Sequence, residues 1–135
     1  MADDASRRAA LDVPGRVGVA YTVFPSVLCL LRHEDAVLLI EGAAPKRWAG
    51  KLNGVGGAIK PGEHPVQAAA REIREETGLA LAAEDLRVKG VIHSQNFYGS
   101  DKLILIVLAD APHRRVRAGR EGRLRWVPLL SLIHI

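Results

Sequence analysis

The segment from Pro65 to Thr77 carries the strongest fold signal in the chain. Pro65 stands at its first position and Gly78 just beyond its last, which is the arrangement expected of an α-helix. Apolar and small residues recur within it at spacings of three and four, so one stripe of the helix is predicted to be buried against another layer. That stripe consists of Val66, Ala69, Ala70, Ile73 and Thr77.

The same helix carries three glutamates on another face. Glu72, Glu75 and Glu76 lie about 130° from the apolar stripe at 3.6 residues per turn. Like charges one turn apart cost about 0.2–0.5 kcal/mol per pair. Arg71 can pair with Glu75, but one arginine cannot neutralise three acids. The crowding therefore favours a hard divalent cation such as Mg²⁺, which binds carboxylate oxygens and keeps water and phosphate ligands.

Apolar, β-branched runs on both sides of this helix predict strands. The first two runs are separated by a short polar turn and predict a hairpin. Residues 103–108 are uniformly apolar, which predicts that their strand is central in a sheet. The predicted strands cover residues 17–31, 36–40, 87–97, 102–109 and 126–128.

Residues 41–63 lack periodicity and are rich in glycine, which predicts a long loop. Long loops inside compact domains are commonly functional. This one contains Asn53 and the cationic residues Arg47 and Lys51, which are candidates for binding a phosphate-bearing substrate. Lys51 is followed by Leu52 rather than by Ser or Thr, so the loop is not a Walker A phosphate loop.

Composition narrows the class of protein further. The chain has 135 residues, 48% of them hydrophobic and 4% aromatic, and a net charge of +4. Because aromatic side chains are the usual stacking partners of nucleic-acid bases, and this chain has few of them, we expect no stable nucleic-acid complex. A single cysteine, Cys29, and the absence of any secretory or membrane-spanning pattern favour a cytoplasmic protein. The oligomeric state stays open.

Residues 57–79 read G-x5-E-x7-R-E-I-x-E-E-x-G-L and match every fixed letter of the Nudix box, so the chain resembles the Nudix hydrolase family. The resemblance implies an α/β fold, an α/β/α sandwich around a mixed sheet. It implies one Nudix domain over residues 16–135 after a flexible tail, residues 1–15. Family members continue past the strand at 126–128 into a second helix, which we expect to be truncated or absent in a chain of this length.

The resemblance also implies roles for the residues of the box. Gly57, through its backbone carbonyl, and Glu72, Glu75 and Glu76, through their carboxylates, would bind Mg²⁺ or Mn²⁺. Arg71 would orient the glutamates, and Glu63 would brace the site. The family hydrolyses nucleoside diphosphates linked to another moiety, with Glu75 and Glu76 in the catalytic cluster.

Two residues outside the helix extend the resemblance towards a substrate. Asn53 lies in a stretch similar to the W-N-G-x-G-G sequence of MutT-like enzymes, in which an asparagine contacts an oxidised purine, although Leu52 replaces the tryptophan. Glu121, the one acid in an arginine-rich connector, resembles the late catalytic glutamate of those enzymes. Asp101 and Asp110 are further candidates for this acidic position.

The favoured hypothesis is hydrolysis of an oxidised purine nucleoside triphosphate such as 8-oxo-dGTP to a monophosphate and pyrophosphate. Another nucleoside diphosphate derivative, such as ADP-ribose or a dinucleoside polyphosphate, is the alternative substrate. A non-catalytic module that senses a nucleotide is a third hypothesis, and the complete set of box glutamates argues against it.

Overall fold

The computed structural model of the protein describes residues 21–43, 49–97, 99–117, 119 and 122–133. The predicted tail and the start of the first predicted strand, at residue 17, lie outside these ranges. Within these ranges, seven strands, two α-helices and a short 3₁₀ helix at Ala83–Asp85 follow one another. They are β1 (Phe24–His33), β2 (Ala36–Gly42), β3 (Leu52–Asn53), β4 (Val55–Ala58), α1 (Pro65–Thr77), β5 (Arg87–Phe97), β6 (Ser100–Asp110), β7 (Gly122–Pro128) and α2 (Leu129–Ile133).

All seven strands belong to one mixed sheet, and β1 lies at its centre. On one side, β1 pairs with β6 in parallel over nine residue pairs. On the other side, it pairs antiparallel with β4 and with β2. Strand β5 pairs with β6, while β3 and β7 pair with β2. The predicted central position of residues 103–108 is confirmed, because β6 has a partner on both sides.

Helix α1 has the predicted bounds, and both of its ends are capped. The backbone N–H of His64 donates to the side chain of Gln67, and the His64 ring accepts from the N–H of Val66. At the other end, Gly78 adopts the left-handed conformation with φ of 80°. The structure therefore confirms that Pro65 begins the helix and that Gly78 ends it.

The two faces of β2 belong to two different apolar clusters, so the sheet has a layer on each side. Leu38 and Ile40 pack in the large core that contains Ala69 and Ile73 of α1. Val37 and Leu39 pack in a smaller cluster on the other face, together with Leu132 of α2. The arrangement is the expected α/β/α sandwich, and five residues of the second helix are described. Among the described helices, none has the length and apolar character needed to cross a membrane.

The prediction of an irregular loop over residues 41–63 is wrong in its second half, which contains β3 and β4. A Cβ at Gly56 would lie 2.0 Å from the carbonyl oxygen of Val27, so β4 approaches β1 more closely than any side chain allows. Glycines carry no hydrophobic alternation, so this strand leaves no periodic signal in the sequence. Within the predicted helix stripe, Val66 and Ala70 are half-buried rather than buried.

We expect Ile73→Ala to lower the free energy of unfolding by about 2–5 kcal/mol, because the side chain is fully buried and its loss leaves a cavity. Ile92→Ala removes the same atoms from a side chain that is 46% exposed, so it should cost less than about 1 kcal/mol. Urea unfolding of both variants measures the difference. Equal losses would contradict the placement of Ile73 at the core of the helix–sheet contact.

Candidate active site

The three glutamates of α1 differ strongly in exposure. The side chain of Glu75 is 54% exposed and that of Glu72 is 12% exposed. Glu76 retains only 7% of its accessible surface. The prediction that all three lie away from the apolar stripe is therefore wrong for Glu76. It stands three residues after the buried Ile73, so the same turn carries both towards the sheet.

Glycines of β4 receive the two inner glutamates. The backbone N–H of Gly56 donates a hydrogen bond of 3.1 Å to Oε2 of Glu76. A Cβ at Gly57 would lie 2.6 Å from Oε1 of Glu72, so any larger residue would displace that carboxylate. Strand β4 thus forms a cradle that brings two carboxylates against the backbone of the sheet.

Arg71 ties the loop before the helix to the glutamates on it. Its Nε and Nη2 atoms donate to both carboxylate oxygens of Glu63, at 2.7 and 2.9 Å. Its Nη1 atom donates to Glu72 at 2.8 Å and to Glu75 at 3.4 Å. A further bond of 3.0 Å reaches the carbonyl oxygen of Ala58. The expected bracing role of Glu63 corresponds to this bidentate pair, which is the most directional form of ion pairing.

The ion pair and the buried core shift pKa values in opposite directions. Hydrogen bonds from Arg71, and then from the backbone of Lys60, lower the pKa of Glu63 to about 2. The same pairing raises the pKa of Arg71. Burial, and then the charges of Glu76 and Glu72, raises the pKa of the Cys29 thiol to about 12. At neutral pH the Glu63–Arg71 pair is therefore ionised, and the thiol of Cys29 is neutral.

The donor set fits a hard divalent cation. Carboxylates of three glutamates and a glycine carbonyl are oxygen ligands of the kind that Mg²⁺ and Mn²⁺ prefer. The glycine cradle places Glu72 and Glu76 beside the same short strand. Within the described ranges, no three acidic, histidine or cysteine side chains lie together closely enough to hold a metal ion. Arg71 contacts Glu72 and Glu75 instead.

A cleft of about 540 Å³ opens beside this cradle. Ser26 and Leu28 line the cleft, whereas Cys29 and Leu31 lie in the core under α1. Because side chains alternate along a strand, the cleft and α1 are on opposite faces of the sheet. The described residues that line it are Phe24, Ser26, Val27, Leu28, Asn53, Gly54, Gly56, Gly57, Ala58, Phe97, Ser100, Lys102 and Ile104.

Of the predicted substrate residues, Asn53 lies in this cleft, and its Oδ1 accepts from the N–H of Gly54 at 2.8 Å. Lys51 is exposed and is not among the described lining residues. Arg47 and Glu121 lie outside the described residues. The alternative acids are engaged elsewhere, Asp101 with Tyr21 and Asp110 with Arg32.

Three cleft residues escaped the sequence analysis. Phe24 is 59% exposed and Phe97 is 41% exposed, and Lys102 Nζ stands 5.0 Å from the ring centroid of Phe97. The two phenylalanines are the only ones in the chain. Because the chain has so few aromatic residues, a phenylalanine at the end of a predicted strand could have been identified as a candidate ligand contact. Aromatic side chains commonly line the sites where ligands bind.

The arginine-rich connector before β7, of which residues 114–117 and 119 are described, contacts the end of the helix that bears the glutamates. The backbone N–H of Arg117 donates to the carbonyl of Thr77 at 2.8 Å, and that of Gly119 donates to the carbonyl of Glu76 at 3.2 Å. These bonds satisfy carbonyls that a helix end leaves without intrahelical partners. The connector is thereby fixed next to the last turn of α1.

Comparison with known proteins agrees with this geometry. Residues 22–134 match the family described as the NUDIX domain. An uncharacterized Nudix hydrolase of Bacillus subtilis strain 168, YvcI, is 30% identical over 103 residues, which are 73% of this chain and 61% of that protein. The chain therefore spans less than two thirds of the length of this relative.

Solved structures share the fold. A MutT/nudix family protein from Enterococcus faecalis superposes with a TM-score of 0.73 at 17% identity, over 84% of this chain and 46% of that one. A bifunctional NMN adenylyltransferase/ADP ribose pyrophosphatase from Francisella tularensis gives 0.71 at 21% identity, over 87% and 37%.

Glu63→Gln tests the bracing pair through pH. Because the folded pKa of Glu63 lies near 2, below its ordinary 4.5, the carboxylate stabilises the fold above pH 4.5 and loses this effect as the pH falls towards 2. The gap in thermal stability between wild type and variant should therefore be constant above about pH 5 and shrink below it. Circular-dichroism melts from pH 7 to 2.5 measure it, with the exposed Glu84→Gln as control. A gap that persists unchanged in acid would contradict the pair.

Proposed function

The chain belongs to the Nudix family, and we propose that it is a divalent-metal-dependent hydrolase that cleaves a nucleoside triphosphate to a monophosphate and pyrophosphate. The proposed substrate carries an oxidised purine, as 8-oxo-dGTP does. Enzymes of this family act on pyrophosphate bonds in small nucleotide substrates. A cytoplasmic location is part of the proposal and is supported by the buried, free thiol of Cys29, the single cysteine of the chain.

One observation carries the proposal: the cleft and the carboxylates meet at two adjacent glycines. Gly56 and Gly57 line the cleft. The same residues contact Glu76 and Glu72 of α1. A nucleotide that places its base in the cleft can therefore extend its phosphates over the glycine backbone towards the acidic helix, where a cation is needed to offset the negative charge.

The cleft offers a purine both apolar surface and a directional contact. Phe24 and Phe97 present exposed aromatic rings, on which a planar base can stack for about 1–3 kcal/mol. The amide of Asn53 can donate from Nδ2, because its Oδ1 is engaged by Gly54. In the 8-oxoguanine base N7 carries a hydrogen, so the acceptors that such an amide can recognise are O6 and O8.

For the phosphate end, we assign the cation to the carbonyl of Gly57 and the carboxylates of Glu72, Glu75 and Glu76. When bound, a divalent cation supplies charge neutralisation at the phosphoryl oxygens and lowers the pKa of water. The guanidinium of Arg71 fixes the orientation of Glu72 through its bond of 2.8 Å.

Two carboxylates are candidates for taking the proton of the attacking water. Glu75 is the most exposed of the helix glutamates and can accept a proton at Oε. Glu121, which lies outside the described residues, is the second candidate and is supported by its resemblance to the late catalytic glutamate of MutT-like enzymes. Arg47 and Lys51 complete the proposal as positive charges for the triphosphate.

A nucleotide panel with Mg²⁺ or Mn²⁺ tests the substrate. We expect pyrophosphate and a monophosphate from 8-oxo-dGTP in preference to dGTP, measured by a pyrophosphate-coupled assay and chromatography of the products. Hydrolysis of ADP-ribose or a dinucleoside polyphosphate instead would replace the triphosphate in the proposal. No hydrolysis of any member with either metal would refute it and favour a binding module.

Glu76→Gln tests the carboxylate cluster. The amide keeps the size of the side chain but removes its charge, so the metal-dependent rate should fall by at least about 100-fold. Glu84→Gln makes the same chemical change at an exposed site in the 3₁₀ helix and should leave the rate unaltered. A Glu76→Gln enzyme with the wild-type rate would exclude Glu76 from the reaction.

Gly57→Ala tests the cradle. Because the new Cβ would meet Oε1 of Glu72, the carboxylate must move, and a displacement of about 1 Å is enough to cost about 100-fold in rate. The matched control is Gly90→Ala, whose Cβ would lie 3.8 Å from Ile106, an ordinary contact. Steady-state rates and melting temperatures of both variants separate a displaced glutamate from general destabilisation.

A further inference from the structure

Strand β5 contains one extra residue beside the cleft. Ser94 pairs with Lys102, and Phe97 pairs with Ser100, so three steps along β5 correspond to two along β6. The extra residue forms a β-bulge, and Asn96 within it adopts the left-handed conformation with φ of 52°. Few residues other than glycine adopt this conformation readily, and asparagine is one of them.

This bulge decides which face of the sheet Phe97 occupies. In an unbroken ladder, Asn96 would stand opposite Ser100, and Phe97 would point to the face that carries α1. The extra residue puts Phe97 opposite Ser100, on the same face as Lys102. All three line the cleft. The bulge therefore re-aims one aromatic wall of the cleft.

Asp101 holds the bulge from the other strand. Its Oδ1 accepts the backbone N–H of Asn96 at 2.7 Å. Its Oδ2 accepts the hydroxyl of Tyr21 at 2.5 Å, and that hydroxyl also lies 2.9 Å from Nε2 of His93. The hydrogen bond from Tyr21 keeps the pKa of Asp101 below its usual range, so the carboxylate remains an acceptor for both groups.

We propose that Asp101 is a positioning residue for the substrate cleft, which fixes the Asn96 bulge and thereby holds Phe97 where the nucleotide base stacks. The proposal rests on the proposed function, because the base is the ligand of that wall. The described hydrogen-bond partners of Asp101 are Tyr21 and Asn96, which are not part of the carboxylate cluster, so we expect it to act on binding rather than on the chemical step.

Asp101→Ala should raise KM for the nucleotide about tenfold while kcat changes less than about twofold, because hydrogen bonds to a charged group are lost far from the reaction. Asp101→Asn keeps an oxygen that can accept the N–H of Asn96, so its KM should stay close to the wild-type value. Adding Asn96→Gly to Asp101→Ala should recover part of the loss, because glycine adopts positive φ without strain. The control is Asp85→Ala, which removes an exposed aspartate of the 3₁₀ helix that is not among the described residues lining the cleft.

An NMR experiment on the ligand-free protein separates this proposal from the proposed function. Nuclear Overhauser contacts between the Phe97 ring and the Lys102 side chain should be present in wild type and Asp85→Ala, and lost in Asp101→Ala. If wild type hydrolyses no nucleotide, the proposed function fails, and these contacts still decide the positioning role. Contacts that survive Asp101→Ala, an unchanged KM, or a kcat that falls as far as KM rises would each overturn it.

Discussion

The close approach of β4 to its neighbours is the constraint on which the rest of the site depends. Gly56 lies against the backbone of Val27 in β1, and Gly57 lies against the carboxylate of Glu72 in α1. Any side chain at either position would push the strand, the helix or the glutamate away. The two glycines therefore keep the distance between α1 and the sheet short at this point. This short distance places the acidic helix and the open cleft next to each other.

Electrostatic interactions then preserve the shape that this packing makes possible. A helix with three crowded glutamates is unfavourable by itself, and Arg71 offsets part of the repulsion by bonding Glu63, Glu72 and Glu75 together. Burial keeps Cys29 neutral beneath them. Charge is concentrated on the outer side of the cradle, where a cation and phosphates can approach from solvent.

The helix could be predicted from residues next to it in the sequence. Strand β4, the burial of Glu76 and the orientation of Phe97 depend on contacts between distant parts of the chain. Pro65 and Gly78 act within one turn of the chain, so the bounds of α1 follow from sequence alone. Strand β4 does not, because its glycines show no alternation, and the burial of Glu76 depends on how α1 is rotated against β4. Phe97 is the clearest case, since a single extra residue in β5 reverses the face that alternation would assign.

The parallel pairing of β1 with β6 has a consequence for how the chain reaches this structure. Phe24 pairs with Lys102, 78 residues later, so the central contact of the sheet closes a loop that contains α1 and the whole glutamate cluster. Closing so long a loop costs entropy before the contacts repay it, and parallel strands of high sequence separation form slowly. The capped helix and the β5–β6 hairpin are local and can form first. The cradle at Gly56 and Gly57 needs β1 beside it, so the site depends on non-local pairing that the helix and the hairpin do not need.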